Sequence, residues 1–327
     1  MTPSSIAWAP TPVGEEAGGL ARRLGRLPGA VWALAVMAVA WTAFAPGFLT
    51  VGNLTNIGLQ AAVLTIVALG MTLIMLTEGI DLSLGPVLGL AGVVLGLLVV
   101  AGRSLPVAML AALAVGAGFG LLNGLLVAIV RMPPFVVTLG TFGMAQSLAM
   151  VLTEGNSVTG LRTSVRWFNE GIVLGVPVPL WATALVFAVT WALLYRTRFG
   201  RYVYAIGGNR RALRLAGVRV RVWHTAVYVY GGLLAALGAF IMTARMNAAH
   251  PTIAVGLEFD AIAAVVLGGT SFDKGRGGIY GTVAGALAVG VLRNGLNLVG
   301  LSTEWQVATV GLVIIAAIVL DALRGLT

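Results

Sequence analysis

The chain has 327 residues, 59% of them hydrophobic and only 9% charged, with a formal net charge of +9. Soluble domains carry about 25% charged residues, so this composition cannot build a water-facing surface; a soluble enzyme, a disordered chain and a secreted module are excluded. The positive charge lies in loops between long apolar runs, where membrane proteins keep it, and not on a face that could hold nucleic acid.

Residues 1–29 read as a cytoplasmic tail, of which 1–20 are Pro/Gly/Ala-rich and expected to be disordered. The apolar stretch 30–45 ends in Ala43-Phe44-Ala45, which fits a signal-peptide cleavage pattern, but Pro46 follows at once and more apolar runs come after, so an uncleaved first helix is expected. A span needs about 20 mostly apolar residues. Runs of that kind occupy 57–77, 84–102, 105–130, 134–153, 179–195, 224–243, 278–299 and 305–322. The run 259–271 is short and reads as a broken or re-entrant element. The expected fold is an all-α polytopic membrane protein of about ten spans, with 30–327 forming one transmembrane domain. Fifteen of the twenty basic residues then fall on one side: Arg22, Arg23, Arg26, Arg131, eight arginines from Arg196 to Arg221, Lys274, Arg276 and Arg324. By the positive-inside rule both termini are cytoplasmic.

Polar residues inside such runs are costly and mark packing contacts or a solute path. Asn53, Asn56 and Gln60 sit at i, i+3 and i+7 on one helical face at the start of the second span. Glu78 precedes Gly79, and Asp81 and Ser83 lie between Gly79 and Gly85 before Pro86, where Asp81 or Ser83 can cap a helix beginning near that proline. Gln146 falls in the fifth span. Glu258 and Asp260 open the short run, which ends in Gly268-Gly269-Thr270-Ser271. Arg293, Asn294 and Asn297 share one span, and Asn123 belongs to another. These side chains either bond across helices as packing contacts or meet the hydroxyls of a neutral solute. An ion path would show chains of acids or histidines, and only His224, at the start of a span, and His250, in a loop, are present. With no cysteine, no phosphate-binding G-x-x-x-x-G-K-[ST] and no H-E-x-x-H, the chain offers no catalytic or metal site and no site for ATP.

Two patterns give the organisation. Leu122-Asn-Gly-Leu125 recurs in part as Arg293-Asn-Gly-Leu296, and Val136, Thr138 and Gly140 then align with Val307, Thr309 and Gly311. Five spans separate the copies. An odd number reverses the direction, so spans 2–5 and 7–10 read as an inverted repeat. The large cytoplasmic loop, 196–223, holds eight arginines and no acid. It reads either as an anchor on anionic membrane lipid or as a docking surface. Within it Asn209 can cap a two-turn helix carrying Arg210, Arg211, Ala212, Leu215 and Ala216, which Gly217 can end; Gly207 and Gly208 precede it. A docking surface needs that helix and an anchor does not.

Gly79-Ile-Asp-Leu-Ser83, the Gly207–Gly217 loop, the string Asp260-Ala-Ile-Ala-Ala-Val-Val-Leu-Gly-Gly-Thr-Ser271 and Asn294-Gly-Leu-Asn297 closely resemble the ribose/xylose/galactose-type permeases, the membrane subunits of bacterial ATP-binding-cassette sugar importers. The loop and the Asp260 string look less like those of the related branched-chain amino acid permeases. The resemblance implies a dimer with a second permease copy or homologue, in the bacterial inner membrane. It also implies a cytoplasmic ATPase, which binds ATP and magnesium and docks on Gly207–Gly217, and a periplasmic binding protein that delivers a pentose, hexose or related polyol. Arg210-Arg211 departs from the acidic or neutral residues such a helix usually carries. The competing functions are an importer permease for another solute, such as autoinducer-2 or a branched-chain amino acid, an ion-coupled secondary transporter, and an intramembrane enzyme.

Overall fold

The computed structural model describes residues 29–161, 163–271 and 275–325. The tail assigned to 1–29 lies almost entirely outside these residues, as does Lys274. The described chain is helical, apart from one two-stranded hairpin.

Helix α1 spans Gly29–Phe44 and α2 spans Val51–Met75. The start of α2 is six residues earlier than hydropathy suggested. Its cap is Thr50, whose hydroxyl accepts from the amide of Asn53 at 3.4 Å, and the first turns carry the polar Asn53 and Asn56 that an apolar count passes over. Next come α3 (Leu84–Val100), α4 (Leu105–Leu125) and α5 (Pro134–Thr153). Helix α4 widens into a single π turn at Leu126–Val130, ended by Arg131 in the left-handed region at φ 68°. Between α5 and the next long helix the sequence reading left no element. The structure puts there a short helix α6 (Thr163–Glu170) and a hairpin of β1 (Ile172–Val173) and β2 (Val176–Pro177), paired antiparallel. Then follow α7 (Val178–Arg196), α8 (Arg198–Leu215), α9 (Val220–Met246), α10 (Leu257–Leu267), α11 (Ile279–Leu298) and α12 (Thr303–Gly325). The short run read as a broken element is the 11-residue α10.

Among the described residues six helices, α2, α4 with its π turn, α5, α7, α9 and α11, are long and apolar enough to cross a membrane, and α1 and α3 are shorter apolar helices. Helix α2 is buried without interruption from Ala61 to Met75, so it is the central element. A helix apolar on every side belongs inside a bundle. The outer faces of α4, α5 and α7 expose Leu110, Leu139 and Leu185, among others, as lipid-facing helices do.

Membrane helices gain little from hydrophobic burial against each other, so they associate through close backbone approach at small residues. Helices α4 and α9 are joined in this way: a Cβ on Gly120 would lie 2.4 Å from the carbonyl oxygen of Tyr228, and one on Gly116 2.2 Å from that of Gly232. Helix α11 meets α10 equally tightly, with a Cβ on Gly285 falling 1.9 Å from the carbonyl oxygen of Ala264. The contacts recur in the two halves. Helix α4 packs on α9 as α11 packs on α2, α3 on α4 as α10 on α11, and α3 on α5 as α10 on α12.

Candidate functional site

At one end of the bundle a cavity of about 550 Å³ opens between α2, α9, α10, α11 and α12. Its polar lining is Gln60, Arg245, Asp260, Arg293 and Thr303. Asp260 lies in the first turn of α10, where the helix dipole favours a carboxylate. Arg293 of α11 reaches across and donates to its Oδ1 at 2.7 Å, and the two side chains are 6% and 26% exposed. Arg245, in the last turn of α9, donates to Asn56 Oδ1 at 3.2 Å. Asp260 neutralises Arg293, while Arg245 is held by an amide alone, so the wall is hydrogen-bonding and carries one guanidinium without a counter-charge; the Gln60 side chain makes no hydrogen bond among the described residues. Such a wall offers both donors and acceptors to a hydroxyl-bearing solute.

The residues expected to share one face of α2 separate here. Gln60 lines the cavity, and Asn56 lies exposed and holds Arg245. Asn53 forms a reciprocal amide pair with Asn294, at 3.0 Å and 2.9 Å, and also donates to the Phe48 carbonyl at 2.8 Å. Asn53 and Asn294 therefore tie α2 to α11. Asn297 is exposed at the end of α11 and does not line the cavity. Gln146 donates to the Pro251 carbonyl at 3.3 Å and likewise lies away from it. Glu258 is fully buried, with one carboxylate oxygen accepting from the Gly256 amide at 3.0 Å.

Asp81, Ser83 and Asn123 form a closed buried cluster. Asp81 Oδ1 accepts from the Ser83 amide at 2.8 Å and from its hydroxyl at 2.6 Å. Asn123 donates to Ser83 Oγ at 2.9 Å and to Asp81 Oδ2 at 3.3 Å, while its own oxygen accepts from Thr141 at 2.8 Å. All four are 3% exposed or less. The capping expectation is corrected in its details. Helix α3 begins at Leu84, and Ser83, its N-cap residue, makes no side-chain cap bond: its backbone is right-handed helical (φ −80°, ψ −10°) where a capping residue is extended, and its oxygen accepts from Asn123. The cluster ties the start of α3 to α4 and α5.

At the opposite end of α2 lies the arginine-rich helix. Helix α8 bends at Asn209, whose backbone is non-helical (φ −159°, ψ 87°) and whose Oδ1 accepts from the Ala212 amide at 2.9 Å. The expected cap is therefore present. The helix closes with the Gly217 amide on the Arg214 carbonyl at 3.0 Å and the Val218 amide on the Leu213 carbonyl at 3.3 Å, a double bond pattern that needs Gly217 at φ 77°. Gly208, Asn209, Arg211, Ala212, Leu215, Ala216 and Gly217 are exposed, with Leu215 at 83%. Gly207 is buried, and a Cβ there would lie 2.1 Å from the Leu76 carbonyl oxygen. Arg210 turns inward, donating to the carbonyl of Thr77 and lying 3.8 Å from the Glu78 carboxylate. Adjacent arginines that look alike in sequence thus differ: Arg211 faces out and Arg210 holds the end of α2.

Three residues that the sequence did not place at a site emerge. Arg131, Arg221 and His224 share a second cavity of about 370 Å³ with Arg210 and Arg214. His224, at the start of α9, is 2% exposed.

The family model for the branched-chain amino acid transport system permease component matches residues 53–318. The chain belongs to this permease family. It is 45% identical over 293 residues to the ribose import permease protein RbsC of Escherichia coli K12, covering 88% of this chain and 91% of that protein. Against the ribose import permease protein RbsC of Bacillus subtilis 168 it is 41% identical over 305 residues, 93% and 94% of the two chains. The D-allose transport system permease protein AlsC of Escherichia coli K12 is 36% identical over 297 residues, covering 90% and 91%. Family membership and six membrane-length apolar helices make this a multi-pass membrane protein.

Proposed function

We propose that this chain is the membrane-spanning permease subunit of an ATP-driven importer, translocating a monosaccharide of pentose or hexose size. The observation that carries this reading is the identity of 45% to a ribose import permease across nearly the whole of both chains. The chain crosses the bacterial inner membrane about ten times with both termini cytoplasmic, in line with the arginine asymmetry. Its halves form an inverted repeat, and the matched packing of α4 on α9 and α11 on α2 supports that relation. A cytoplasmic ATPase, which binds ATP and magnesium, docks on the exposed face of the Gly208–Gly217 segment. A periplasmic binding protein delivers the sugar on the opposite side, and a second permease subunit completes the membrane unit.

The cavity at Gln60 lies along the first half of α2, and the proposed docking helix meets its C-terminal end at Leu76 and Thr77. Sixteen residues at 1.5 Å each place them about 24 Å apart. Helix α2 is thus the rod through which a movement of α8 reaches the cavity wall. Arg210 is its attachment at the ATPase end, and Asn53 joins it to α11 at the other. Sugar hydroxyls meet Gln60, the charge-balanced Asp260–Arg293 pair and the guanidinium of Arg245, which is held by an amide and offers donors to a hydroxyl.

Reconstitution tests the reading. The chain is purified with its ATPase, placed in proteoliposomes with the cognate binding protein, and supplied with ATP and radiolabelled pentoses and hexoses. Uptake that requires ATP and the binding protein is expected. Uptake by the isolated chain down an ion gradient would overturn the proposal.

A further inference from the structure

A second cavity, about 370 Å³, sits where the π turn, the start of α9 and the docking helix converge. Four arginines line it: Arg131, Arg210, Arg214 and Arg221. An adjoining cavity of about 360 Å³ shares Arg131, Arg214 and Arg221 and adds Arg219. The one carboxylate in the lining is Glu78, already paired with Arg210. Among the described residues, Arg131, Arg214 and Arg221 have no acidic partner. Beneath them His224 is 2% exposed, and its Nε2 has no hydrogen-bond partner.

The origin of this concentration of charge is local. The π turn at Leu126–Val130 and the left-handed Arg131 end α4 abruptly, which brings the Arg131 side chain against the start of α9. Helix α9 begins at Val220 without a side-chain cap, so its positive dipole end adds to the same site. Guanidinium groups are weakly hydrated and present paired donors that match phosphate oxygens. Uncompensated, they repel one another; with an anion between them, they are satisfied.

The surroundings identify the anion. Immediately beside the cavity, the corner from α4 to α5 exposes Ile129 (46%), Val130 (60%), Phe135 (53%) and Val136 (53%). A free phosphate or an acidic peptide has no use for that surface. A molecule carrying a phosphate and hydrocarbon chains matches both halves. Basic pockets between membrane helices on the cytoplasmic side take anionic headgroups in this way.

We infer that this cavity is a specific site for one anionic phospholipid, its phosphate held by Arg131, Arg214 and Arg221 and its acyl chains lying along Ile129, Val130 and Phe135. The inference is independent of which solute the chain moves. Because Arg210 and Arg214 belong to the docking helix, the lipid braces that helix against the membrane core.

The test is native mass spectrometry of the full chain, alone and in the assembled importer. Phosphatidylglycerol and phosphatidylcholine with identical acyl chains are supplied in turn. The expected result is at least tenfold greater retention of phosphatidylglycerol, lost in the double variant Arg131→Gln/Arg221→Gln. It should be reduced but not abolished in Arg131→Lys/Arg221→Lys, which keeps the charge without the paired donors, and fully kept in Arg103→Gln, whose arginine is exposed and lies outside the cavity. A thermal melt confirms that each variant is folded. Equal retention of the two lipids, or undiminished retention in the folded glutamine variant, would overturn the inference. So would complete displacement by inorganic phosphate alone, which would identify a free anion site, or loss of selectivity once the ATPase is bound, which would assign the arginines to that partner.

Discussion

The Asp260–Arg293 pair makes a quantitative prediction, because its two members are buried unequally. Asp260 is 6% exposed and Arg293 26%, with the guanidinium nitrogen 2.7 Å from the carboxylate oxygen. Replacing Arg293 by Met leaves a buried carboxylate without its counter-charge. Removing one partner of such a pair costs about 3–5 kcal/mol. Asp260→Asn leaves the arginine beside an open cavity from which water reaches it, so the loss is nearer the about 1.5–3 kcal/mol of a hydrogen bond to a charged group. The double variant Asp260→Asn/Arg293→Met contains no stranded charge and lies within about 1 kcal/mol of the native chain, since neutral replacement of a whole buried pair is often without net cost. The double-mutant cycle therefore returns a coupling of several kcal/mol. The assay is reversible unfolding of the detergent-purified variants in mixed micelles of increasing dodecyl sulfate content. Additive single effects would refute the reasoning, and so would equal losses from the two single changes, because the argument rests on unequal burial.

Three further outcomes are expected. Gly120→Leu drives a side chain into the Tyr228 backbone, where even a Cβ would lie 2.4 Å from its oxygen. Overpacking of this kind costs at least about 1–3 kcal/mol, and it should show as a lower melting temperature and loss of a monodisperse peak in gel filtration. Asn209→Ala removes the cap on the Ala212 amide and should cost about 1 kcal/mol of local helix stability, weakening ATPase binding severalfold in a pull-down; Asn209→Asp should retain most of it. Arg210→Ala breaks an ion pair whose members are 34% and 43% exposed, worth below about 1 kcal/mol, and also the bond to the buried Thr77 carbonyl, so its effect on stability is about 1.5–3 kcal/mol. It should also lower the sugar transported per ATP hydrolysed, and an unchanged ratio would show that α2 does not carry the movement.

Much of the fold was legible because hydropathy alone fixes where a chain can cross a bilayer. The observed α5 spans the same residues as the expected run, and α1, α3, α7 and α11 agree to within two residues at each end. The reading failed where other forces set the structure. Helix α2 starts in a polar segment held by a threonine cap, and α6 with its hairpin is too short and polar to register as a span. The short capped segment after Asn209 was legible, because Asn209 and Gly217 act within four residues of themselves, whereas the part of α8 before the bend, from Arg198, was not. The candidate path was legible only as a set of costly polar residues. Whether one lines a cavity or ties two helices depends on a partner distant in sequence: Asn53 meets Asn294, and Asn123 meets Ser83. Nothing in the spacing of Arg210 and Arg211 tells which turns inward.

The glycine contacts also limit which parts of the molecule can shift. Where two helices touch through backbone, no side chain exists that could change rotamer to accommodate a new angle between them. Helices α4 and α9 must therefore travel together as a single stave, and so must α10 and α11. A conformational cycle can open the bundle only along the joints between these staves. The reciprocal amide pair of Asn53 and Asn294 lies on the joint between α2 and the stave of α10 and α11, and because it is uncharged it can part and re-form without stranding an ion in the membrane.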